Sequence, residues 1–495
     1  MGESPVTVGG LFLETTKDEY GLLESGRIRK FQGDFIRALN NDFDIICLSA
    51  PTASGKTLCF EYVFKRGKKV LLIYPTNALI EDQYKALSRR WCVKKLRAKD
   101  LEGKGRERTS ELQATIEKYD IVLTNPDIIN AIANKLYVNP SQDLLRFFEK
   151  FQYIIYDEFH FYEEFELSGI LLQIVLFLNM RYSKVILSSA TPSKEFIKNL
   201  RTVEMIDTRN PPKIGFIEAK GQDKKTSVND HHIKYDVEVY FHDGLIYEDN
   251  LEDVIEELRK YRKAIRDNRI KGAIIFNSVK DANSFYNRVF EEFGGYIEID
   301  TGYETKASIK IEEKPILITT AKGEVGLNLD IDFLFMEEGF FYNSFIQRFG
   351  RIGRHKPGKC YIFTKKKVSL DDKIAYYDFL GYFSNLMKDY VLNREIIDTL
   401  FDLRCYFVVR EFGKHREKLN IVFKGSKFKK FNKFFTILDK QMEELRGFMG
   451  DTLYYRAIKT YLDSLLRSLK GLRGILYKNR FYTEGGNNMW IRNMI

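Results

Sequence analysis

The sequence predicts an α/β protein with two successive parallel-sheet domains and a mainly helical C-terminal segment. Short apolar, β-branched runs alternate with longer helical patterns over the first two hundred residues, and the alternation starts again near residue 251. From about residue 366, long amphipathic patterns replace it. Strands that are regularly separated by helices predict βαβ units, whose parallel sheets are covered on both faces. A chain of 495 residues is long enough for two or three domains.

The first block, expected to form a domain over residues 1–215, has five candidate strands and helical patterns after Lys56 and from Asn77 to Arg90. The strands are Asp44–Ser49, Val70–Tyr74, Ile121–Thr124, Tyr153–Tyr156 and Lys184–Ser188. A polar stretch from Glu218 to Asp236 follows. Because this stretch has little to bury, we expect a linker or an exposed hairpin.

The second block, expected over residues 216–365, opens with a predicted helix at Leu251–Ile270. Its candidate strands are Gly272–Asn277, Pro315–Thr319, Phe333–Glu337 and Lys359–Phe363. The remaining residues, 366–495, contain amphipathic segments such as Asp372–Leu386 and Leu453–Leu472. We expect them to form a helical accessory domain.

Charge is distributed unevenly along the chain. Residues 366–495 contain 25 Lys/Arg and 15 Asp/Glu, whereas residues 1–365 contain 54 of each, so the whole net charge of +10 arises in the last quarter. This asymmetry suggests contact with a polyanion, although a solvated basic face is the simpler alternative. The chain has no apolar run near the roughly 18 residues of a membrane span and begins without the features of a signal peptide, so we expect a cytoplasmic protein without membrane contact.

The segment that follows the first candidate strand predicts a phosphate-binding loop. Its residues are Ala50, Pro51, Thr52, Ala53, Ser54, Gly55, Lys56 and Thr57. A strand precedes it and a helix follows, so backbone N–H groups at the helix N-terminus would hold the phosphates. Lys56 would reach the β- and γ-phosphates of a nucleotide, and Thr57 would bind Mg²⁺. Ala50 and Ala53 replace glycines that are common in such loops, and we expect both to be tolerated.

An acidic pair, Asp157 and Glu158, follows the strand Tyr153–Tyr156. Ligands of α/β sheets bind at the carboxyl ends of the strands, so this position favours catalysis. Asp157 would hold Mg²⁺ through water, and Glu158 would orient and deprotonate the water that attacks the γ-phosphate. The dipeptide alone would carry no meaning, because charged pairs in loops are common.

Taken in order, these segments resemble the motifs of superfamily 2 helicases, in which two RecA-like domains enclose ATP. Within the first block, Arg29-Lys30-Phe31-Gln32 resembles the adenine-reading segment, with Gln32 as the base contact. The resemblance also implies nucleic-acid contacts in Tyr74-Pro75-Thr76-Asn77-Ala78-Leu79 and Thr124-Asn125-Pro126-Asp127, namely Pro75, Thr76 and Thr124. Asp157-Glu158-Phe159-His160 and Ser188-Ser189-Ala190-Thr191 contain the residues implied to couple hydrolysis to strand movement: His160, Ser189 and Thr191.

The series continues in the second block. Phe276-Asn277-Ser278 and the segment from Thr319 to Asp330 resemble motifs in which Asn277 and Thr320 would meet nucleic acid and Asp330 would touch ribose. Gln347-Arg348-Phe349-Gly350-Arg351-Ile352-Gly353-Arg354 resembles the arginine-finger motif. There Gln347 would position water, while Arg351 and Arg354 would stabilise charge that develops on the γ-phosphate. ATP and Mg²⁺ are the implied cofactors.

The finer resemblance is to the helicase subunit of type I CRISPR systems, because of Asp157-Glu158-Phe159-His160-Phe161-Tyr162, the segment Tyr74–Leu79 and the compact tail. In that family the helicase is often fused to an N-terminal HD nuclease, and 49 residues before the phosphate loop are too few for one. We therefore expect the nuclease-free form, similar to type I-A, with a separate HD nuclease subunit and a crRNA-guided surveillance complex as partners. The implied activity is 3′ to 5′ translocation along single-stranded DNA, the displaced strand of an R-loop.

Two other functions stay open. The first is a DNA-repair or RNA helicase of the same superfamily, since the motor motifs are shared. The second is a non-motor ATP-binding scaffold, against which the complete set of Lys56, Glu158, Gln347, Arg351 and Arg354 argues. In the tail, Lys424–Phe435 interleaves lysines with aromatic residues. This pattern suits a strand-contacting surface, and it suits an amphipathic element with its Phe residues packed inward equally well.

Overall fold

The computed structural model describes residues 4–51, 54–97, 105–138, 142–180, 183–190, 211–227, 229–301, 314–320, 330–388 and 392–398, with separate positions from 400 to 439. Within these ranges the chain forms two large, mainly parallel sheets with helices packed on them. The predicted α/β class with successive parallel sheets is confirmed. The division of the chain at residues 215 and 365 stays a prediction.

The first sheet contains seven parallel strands of the described residues. In spatial order they are Ile214–Glu218, Ile45–Ser49, Lys184–Ser189, Tyr153–Tyr156, Val70–Ile73, Ile121–Thr124 and Val93–Lys95. All five predicted strands are present. Three of them, Val70–Ile73, Ile121–Thr124 and Tyr153–Tyr156, are buried at every position, as expected for strands covered on both faces.

The second sheet contains eight strands of the described residues. In spatial order they are Ile297–Asp300, Ile316–Thr319, Gly272–Ile275, Phe333–Glu337, Gly358–Thr364, Val237–Asp243, Val6–Val8 and Lys373–Ile374. The first six are parallel, whereas Val6–Val8 runs antiparallel to Val237–Asp243. The beginning of the chain therefore completes the second sheet, a pairing that the order of the segments did not predict.

Helices cover both sheets. Around the first sheet they are Lys30–Asn40, Lys56–Lys65, Asn77–Leu87, Gly105–Lys118, Pro126–Val138, Gln142–Lys150 and Glu164–Met180, with a 3₁₀ turn at Phe159–Phe161. Around the second they are Ile246–Asp249, Leu251–Arg266, Val279–Phe293, Tyr342–Phe349 and Tyr376–Leu386, with a 3₁₀ turn at Gly294–Tyr296. The first sheet with its helices is here called the first half, and the second sheet with its helices the second half. The apolar helix Glu164–Met180 packs into the core of the first half. None of the helices in the described ranges is both long and apolar enough to cross a membrane.

The polar stretch after Glu218 is neither a linker nor an exposed hairpin, so that prediction was wrong. Its strands Gly221–Gln222 and His231–Lys234 both pair with Leu11–Leu13 in a small antiparallel sheet. The rings of Phe12 and His232 stack there with centroids 4.4 Å apart. The partner strand lies more than 200 residues away in sequence, so local polarity gave no sign of the pairing. Two further strands, Thr15–Lys17 and Arg27–Arg29, pair antiparallel with each other before the first helix.

The described part of the C-terminal region contacts both halves. Phe383 of the helix Tyr376–Leu386 stacks on Phe345 with ring centroids 4.1 Å apart, in the second half. Further along, Ile397, Phe401 and Val408 are buried in the core of the first half. The predicted segment Leu453–Leu472 and, apart from Lys433, the basic stretch over residues 424–435 lie outside the described residues.

Candidate active site

The phosphate loop joins the strand Ile45–Ser49 to the helix Lys56–Lys65. Gly55 precedes this helix with φ +80°, a left-handed conformation that favours glycine. Ala50 is buried, and its backbone carbonyl accepts a hydrogen bond of 2.9 Å from Lys56 Nζ. Thr57 is exposed and Pro51 half-buried. Thr52 and Ala53 lie outside the described residues, so the expected tolerance of Ala53 stays a prediction.

Gln32, the predicted base contact, is buried against this loop, and its contact with a nucleotide stays a prediction. Its Nε2 donates to the Gly55 carbonyl at 3.0 Å, and its Oε1 accepts from the Arg29 backbone N–H at 2.9 Å. Arg29 Nη1 donates to the Ser54 carbonyl at 2.5 Å. The sequence pattern gave Arg29 no role of its own within its motif. Its guanidinium and the amide of Gln32 fix the loop together.

The acidic pair lies at the carboxyl end of the strand Tyr153–Tyr156, where the backbone N–H of Asp157 donates to the Ile73 carbonyl at 3.0 Å. Glu158 adopts a left-handed φ of 50°, which is uncommon for a residue other than glycine and is found most often at functional sites. Asp157 Oδ1 and Glu158 Oε2 are both buried, and neither has a hydrogen-bond partner among the described residues. Buried carboxylate oxygens normally have partners, so these two indicate a place for a ligand.

The two carboxyl groups respond differently to their surroundings. Burial, and then the charge of Glu158, raise the pKa of Asp157 to about 6. Burial would also raise the pKa of Glu158, but the cations of Lys56, Arg351 and Arg354 together with His160 outweigh it and lower that pKa. Glu158 is therefore the member of the pair whose proton is held less tightly, so it is ionised at neutral pH, as a general base must be.

Asp157 and Thr57 fit the requirements of Mg²⁺. The ion prefers carboxylate and hydroxyl oxygens and binds to proteins through few direct ligands. Asp157 supplies a buried oxygen without a hydrogen-bond partner in the part of the chain that the structure describes. The charge of Lys56 lowers the pKa of both carboxyl groups. Lys56 begins the helix Lys56–Lys65, and Thr57 is the next residue.

The opposite wall of the cleft is the helix Tyr342–Phe349, here called the arginine helix, and residues 350–354, the arginine loop. Gln347 is buried, and its Nε2 lies 2.9 Å from His160 Nε2. His160 Nδ1 lies 3.1 Å from Ser189 Oγ. Burial lowers the pKa of His160 to about 4; the charge of Glu158 opposes this effect, and Lys56 and Arg351 add to it, so the ring is neutral at physiological pH. A neutral ring accepts from Gln347 at Nε2 and donates to Ser189 at Nδ1, which links the two halves.

Both predicted arginine fingers face the acidic pair. Arg351 is 6% exposed and acts on Glu158. Burial lowers the pKa of Arg354, while the charge of Glu158 opposes this effect. Asp330, the predicted ribose contact, is exposed and also acts on Arg354. Lys56, Glu158 and the two arginines therefore surround one cleft, as a site for a nucleoside triphosphate requires.

Comparisons with known proteins agree with this geometry. Residues 29–200, which contain the phosphate loop and the acidic pair, match the sequence model of the DEAD/DEAH box helicase family. This part of the chain is similar to DEAD/DEAH box helicase domains. Residues 268–357, which contain the arginine helix and loop, match the family "CRISPR-associated nuclease/helicase Cas3, C-terminal". The expected membership of helicase superfamily 2 is confirmed.

The chain is similar to one curated relative in sequence and to two solved structures in fold. An "uncharacterized ATP-dependent helicase" of Methanocaldococcus jannaschii is 25% identical over 375 residues, which are 68% of this chain and 49% of the relative. The crystal structure of DUF1998 helicase MrfA bound to DNA and AMPPNP has a TM-score of 0.59 at 17% identity, over 83% of this chain and 60% of that one. The structure of Mss116p bound to ssRNA and AMP-PNP has a TM-score of 0.51 at 16% identity, over 86% of this chain and 92% of that one. The chain thus spans about half of the curated relative, and the two structures establish the fold.

The nucleic-acid contacts predicted within the helicase domain follow the carboxyl ends of parallel strands. Pro75 and Thr76 come after Val70–Ile73, and Thr76 Oγ1 caps the next helix by accepting from the Leu79 N–H at 3.3 Å. Thr124 is fully buried, and its hydroxyl donates to the Leu96 carbonyl at 3.0 Å. The side chain of Thr124 is thus engaged within the protein, whereas Pro75 and Thr76 are half-buried.

The corresponding residues of the second half are Asn277 and Thr320. Thr320, at the end of Ile316–Thr319, is 5% exposed. Asn277 Oδ1 accepts a 2.7 Å hydrogen bond from Arg348 Nη1 of the arginine helix. Among the predicted coupling residues, Ser189 is buried and bonded to His160, and Thr191 lies outside the described residues.

Arg348 is a residue whose importance sequence reasoning missed. It is 2% exposed and also donates to the Glu337 carbonyl at 2.8 Å. The Glu337 carboxylate in turn accepts from the backbone N–H groups of Asn277 at 2.6 Å and Ile246 at 3.1 Å. The predicted strand-binding residue Asn277 is therefore connected to the arginine helix by direct hydrogen bonds. The one signal available in the sequence was the position of Arg348 between Gln347 and the arginine loop.

Proposed function

We propose that this protein is an ATP-dependent helicase that translocates 3′ to 5′ on single-stranded DNA in a type I CRISPR interference system. It acts on the displaced strand of an R-loop, is recruited by a crRNA-guided surveillance complex and unwinds target DNA for a separate HD nuclease. The observation that carries the proposal is the composite site, in which Glu158 of the first half faces Arg351 and Arg354 of the second. Such a site hydrolyses ATP only while the two halves are together.

Each side chain of the cleft has a defined task. Gln32 and Arg29 hold the phosphate loop, and Gln32 is the proposed base contact. Lys56 leaves the Ala50 carbonyl to bind the β- and γ-phosphates. Glu158, ionised, takes a proton from the attacking water. Arg351 and Arg354 neutralise the charge that develops on the γ-phosphate as it transfers.

Thr57 and Asp157 would hold Mg²⁺. When bound, the ion neutralises phosphate charge. Asp157 is suited to this task because its buried Oδ1 makes no hydrogen bond to the described residues.

Coupling between hydrolysis and movement rests on two hydrogen-bonded links. The first joins Ser189, His160 and Gln347 across the cleft. The second joins Asn277 to Arg348, one residue after Gln347 in the arginine helix. A nucleic-acid strand that displaces Asn277 would therefore also displace the arginine helix, which carries Gln347 and leads into the arginine loop.

A nucleic-acid substrate, which we propose to be DNA, is supported on two grounds. The positive charge of residues 366–495 suits a polyanion, and MrfA, which has a similar fold, was crystallised with DNA. Contacts by the half-buried Pro75 and Thr76 are proposed to be with phosphate and sugar, because a motor must tolerate any sequence. Thr124 and Thr320 are buried, so their predicted contacts require the site to open around them. The same proposal divides the chain into residues 1–215, 216–365 and 366–495.

The CRISPR context is supported by the match of residues 268–357 to the Cas3 C-terminal family. A helicase of the same superfamily with a role in repair or RNA processing would share the cleft and differ in its partners. Affinity purification from the native host separates the two, since the CRISPR role requires surveillance-complex and HD-nuclease subunits to be retained. Recovery of neither would contradict that role and leave the motor intact.

The motor itself is tested by ATP hydrolysis with and without single-stranded DNA. We expect DNA to stimulate turnover, and expect Lys56→Ala to abolish it. Parallel reactions with single-stranded RNA of the same sequence decide between the two nucleic acids. Turnover that is the same with DNA, with RNA and without either would show that the protein is not a motor on nucleic acid.

The basic stretch over residues 424–435 is tested separately through the salt dependence of DNA binding. Neutralising Lys427, Lys429, Lys430 and Lys433 should weaken binding. The slope of log affinity against log salt should become shallower by about 0.7 for each phosphate that the protein no longer neutralises. An unchanged slope would assign the stretch to a solvated surface.

A further inference from the structure

Lys234 is a buried cation behind the arginine loop. It belongs to the strand His231–Lys234 of the small antiparallel sheet and is 2% exposed. Its Nζ donates to the Gly350 carbonyl at 2.6 Å and to the Ile352 carbonyl at 3.2 Å. These two carbonyls flank Arg351, so one ammonium group fixes the backbone on both sides of a predicted arginine finger.

The neighbouring backbone strengthens this attachment. Tyr235 donates its N–H to the Gly353 carbonyl at 2.8 Å. Gly353 has φ +68°, and a Cβ there would lie 2.9 Å from the Tyr235 carbonyl oxygen. Arg354 Nε donates to the Gly350 carbonyl at 3.1 Å, the same carbonyl that Lys234 binds. The arginine loop therefore lies against residues 234–235 along most of its length.

The charges around Lys234 are unusual for a buried lysine. The charged groups that act on it are Arg354 and Arg351, which are of the same sign, and burial together with these charges lowers its pKa. A buried ammonium group that is solvated by carbonyls rather than by a carboxylate costs free energy. A methionine would avoid that cost but would remove the donor to the Gly350 and Ile352 carbonyls. The place of Lys234 directly behind the arginine loop therefore points to a role at the site.

The strand that contains Lys234 is held in turn by the beginning of the chain. Its partner strand is Leu11–Leu13, and the Gly10 N–H donates to Asp236 Oδ1 at 2.8 Å. A Cβ on Gly10 would lie 2.5 Å from the Lys234 carbonyl oxygen, so the approach is close. The small sheet is thus a support that reaches the ATP cleft through Lys234.

We propose that Lys234 is a positioning residue for ATP hydrolysis, which orients Arg351 and Arg354 toward Glu158 by fixing the carbonyls of Gly350 and Ile352. This rests on the proposed ATPase function. Lys234 touches neither nucleotide nor metal in this role and acts through the arginines. Loss of its hydrogen bonds should lower the rate of hydrolysis and leave nucleotide binding by the first half unchanged.

The test measures kcat and KM for DNA-stimulated hydrolysis in the full chain. Lys234→Met should lower kcat about 10- to 100-fold, the effect of misplacing a catalytic group by about an ångström, with little change in KM. Lys184→Met is the matched control, because Lys184 Nζ also donates to two carbonyls, those of Asn41 at 2.5 Å and Phe43 at 2.9 Å, at the opposite end of the first sheet. It should lower thermal stability and leave kcat unchanged.

A double-mutant cycle separates positioning from general stability. Once Arg351→Ala and Arg354→Ala have removed both fingers, Lys234→Met should change kcat less than about threefold. The same fold-loss in both backgrounds would overturn the proposal. If Lys234→Met does not fold, Lys234→Gln, which keeps a donor without the charge, is measured in the same cycle. An inactive wild-type protein would instead contradict the proposed function.

Discussion

The ATP cleft has two walls, the first formed by the phosphate loop and the acidic pair and the second by the arginine helix and the arginine loop. The polar groups of the two walls differ in their hydrogen-bond partners. On the first wall, Lys56 bonds to a carbonyl of its own loop, and oxygens of Asp157 and Glu158 have no hydrogen-bond partner among the described residues. On the second wall, Arg348 and Lys234 are each bonded to groups of the protein. The first wall therefore depends on a ligand for its polar groups, whereas the second is assembled before any ligand arrives.

This difference predicts where substitutions act. Changes on the first wall should alter nucleotide and metal chemistry with little effect on the fold, because those side chains interact with ligand. On the second wall, substitutions of the fingers Arg351 and Arg354 should affect the rate alone. Substitutions of Arg348 and Lys234, whose side chains are hydrogen-bonded within the protein, should also affect stability. His160 and Gln347 connect the walls directly, so substitutions there should affect both.

Removal of an arginine finger should have the largest effect. Arg351→Ala should reduce DNA-stimulated ATP turnover by about 10³-fold or more, the range found for arginine fingers in phosphoryl transfer. Binding of a fluorescent ATP analogue should change little, because Lys56 and the phosphate loop are intact. Arg269→Ala is the control, since Arg269 is an exposed residue paired with Asp267. A turnover within about threefold of the wild type would show that Arg351 does not contact the transferring phosphate.

Loss of the general base should come next. Glu158→Gln keeps the size of the side chain and should lower the single-turnover rate about 10²- to 10⁴-fold. ATP should still bind and accumulate on the enzyme. Glu256→Gln, on the exposed face of the helix Leu251–Arg266, provides the matched control. If Glu158→Gln hydrolysed ATP at the normal rate, another residue would have to be the base.

The features that sequence patterns predicted are those encoded locally. The strand Tyr153–Tyr156 and the acids behind it form one continuous segment, as do the strand Ile45–Ser49 and the phosphate loop. Parallel strands place all their carboxyl ends at one edge, so the strand pattern was enough to bring Lys56 and Glu158 together. The place of Arg351, which belongs to the other half, was implied only by the resemblance to helicases.

The features that were missed depend on distant pairings. Lys234 lies in a stretch that reads as solvated, and only its pairing with Leu11–Leu13 buries it. Val6–Val8 likewise joins the second sheet through a partner about 230 residues away. The bond from Arg29 to the Ser54 carbonyl depends on the geometry of a loop, which composition does not reveal.

A substitution at a bonded position of the second wall should reduce stability. Arg348→Met removes the donors to Asn277 and the Glu337 carbonyl and leaves the buried Glu337 carboxylate without a nearby cation, which should cost about 3–5 kcal/mol of unfolding free energy. Urea denaturation measures this loss. Asn277→Ala should lower stability less and should abolish DNA stimulation. Unchanged stability in Arg348→Met would mean that the second wall is not preassembled by this residue.

The contact between the walls should depend on pH through His160. Its pKa is lowered from 6.5 to about 4 in the fold, so the folded state favours the neutral ring. The sign follows from linkage: this contribution to stability is fully present above about pH 6.5 and is lost as pH falls toward 4. It amounts to about 3 kcal/mol at most, at 1.36 kcal/mol for each pKa unit. The advantage of the wild type over His160→Asn should therefore shrink across that window.

Urea denaturation of both proteins from pH 7 to pH 4 measures the difference, and Gln347→Ala identifies its origin. In the Gln347→Ala background the ring no longer meets the amide of the second wall, while Ser189 and the burying residues of the first wall remain. If Gln347 contributes to holding the ring neutral, the pH-dependent difference should be smaller there. A difference that is the same with and without Gln347 would place the whole effect within the first wall, and the connection between the walls would then rest on the charges of Glu158, Arg351 and Arg354.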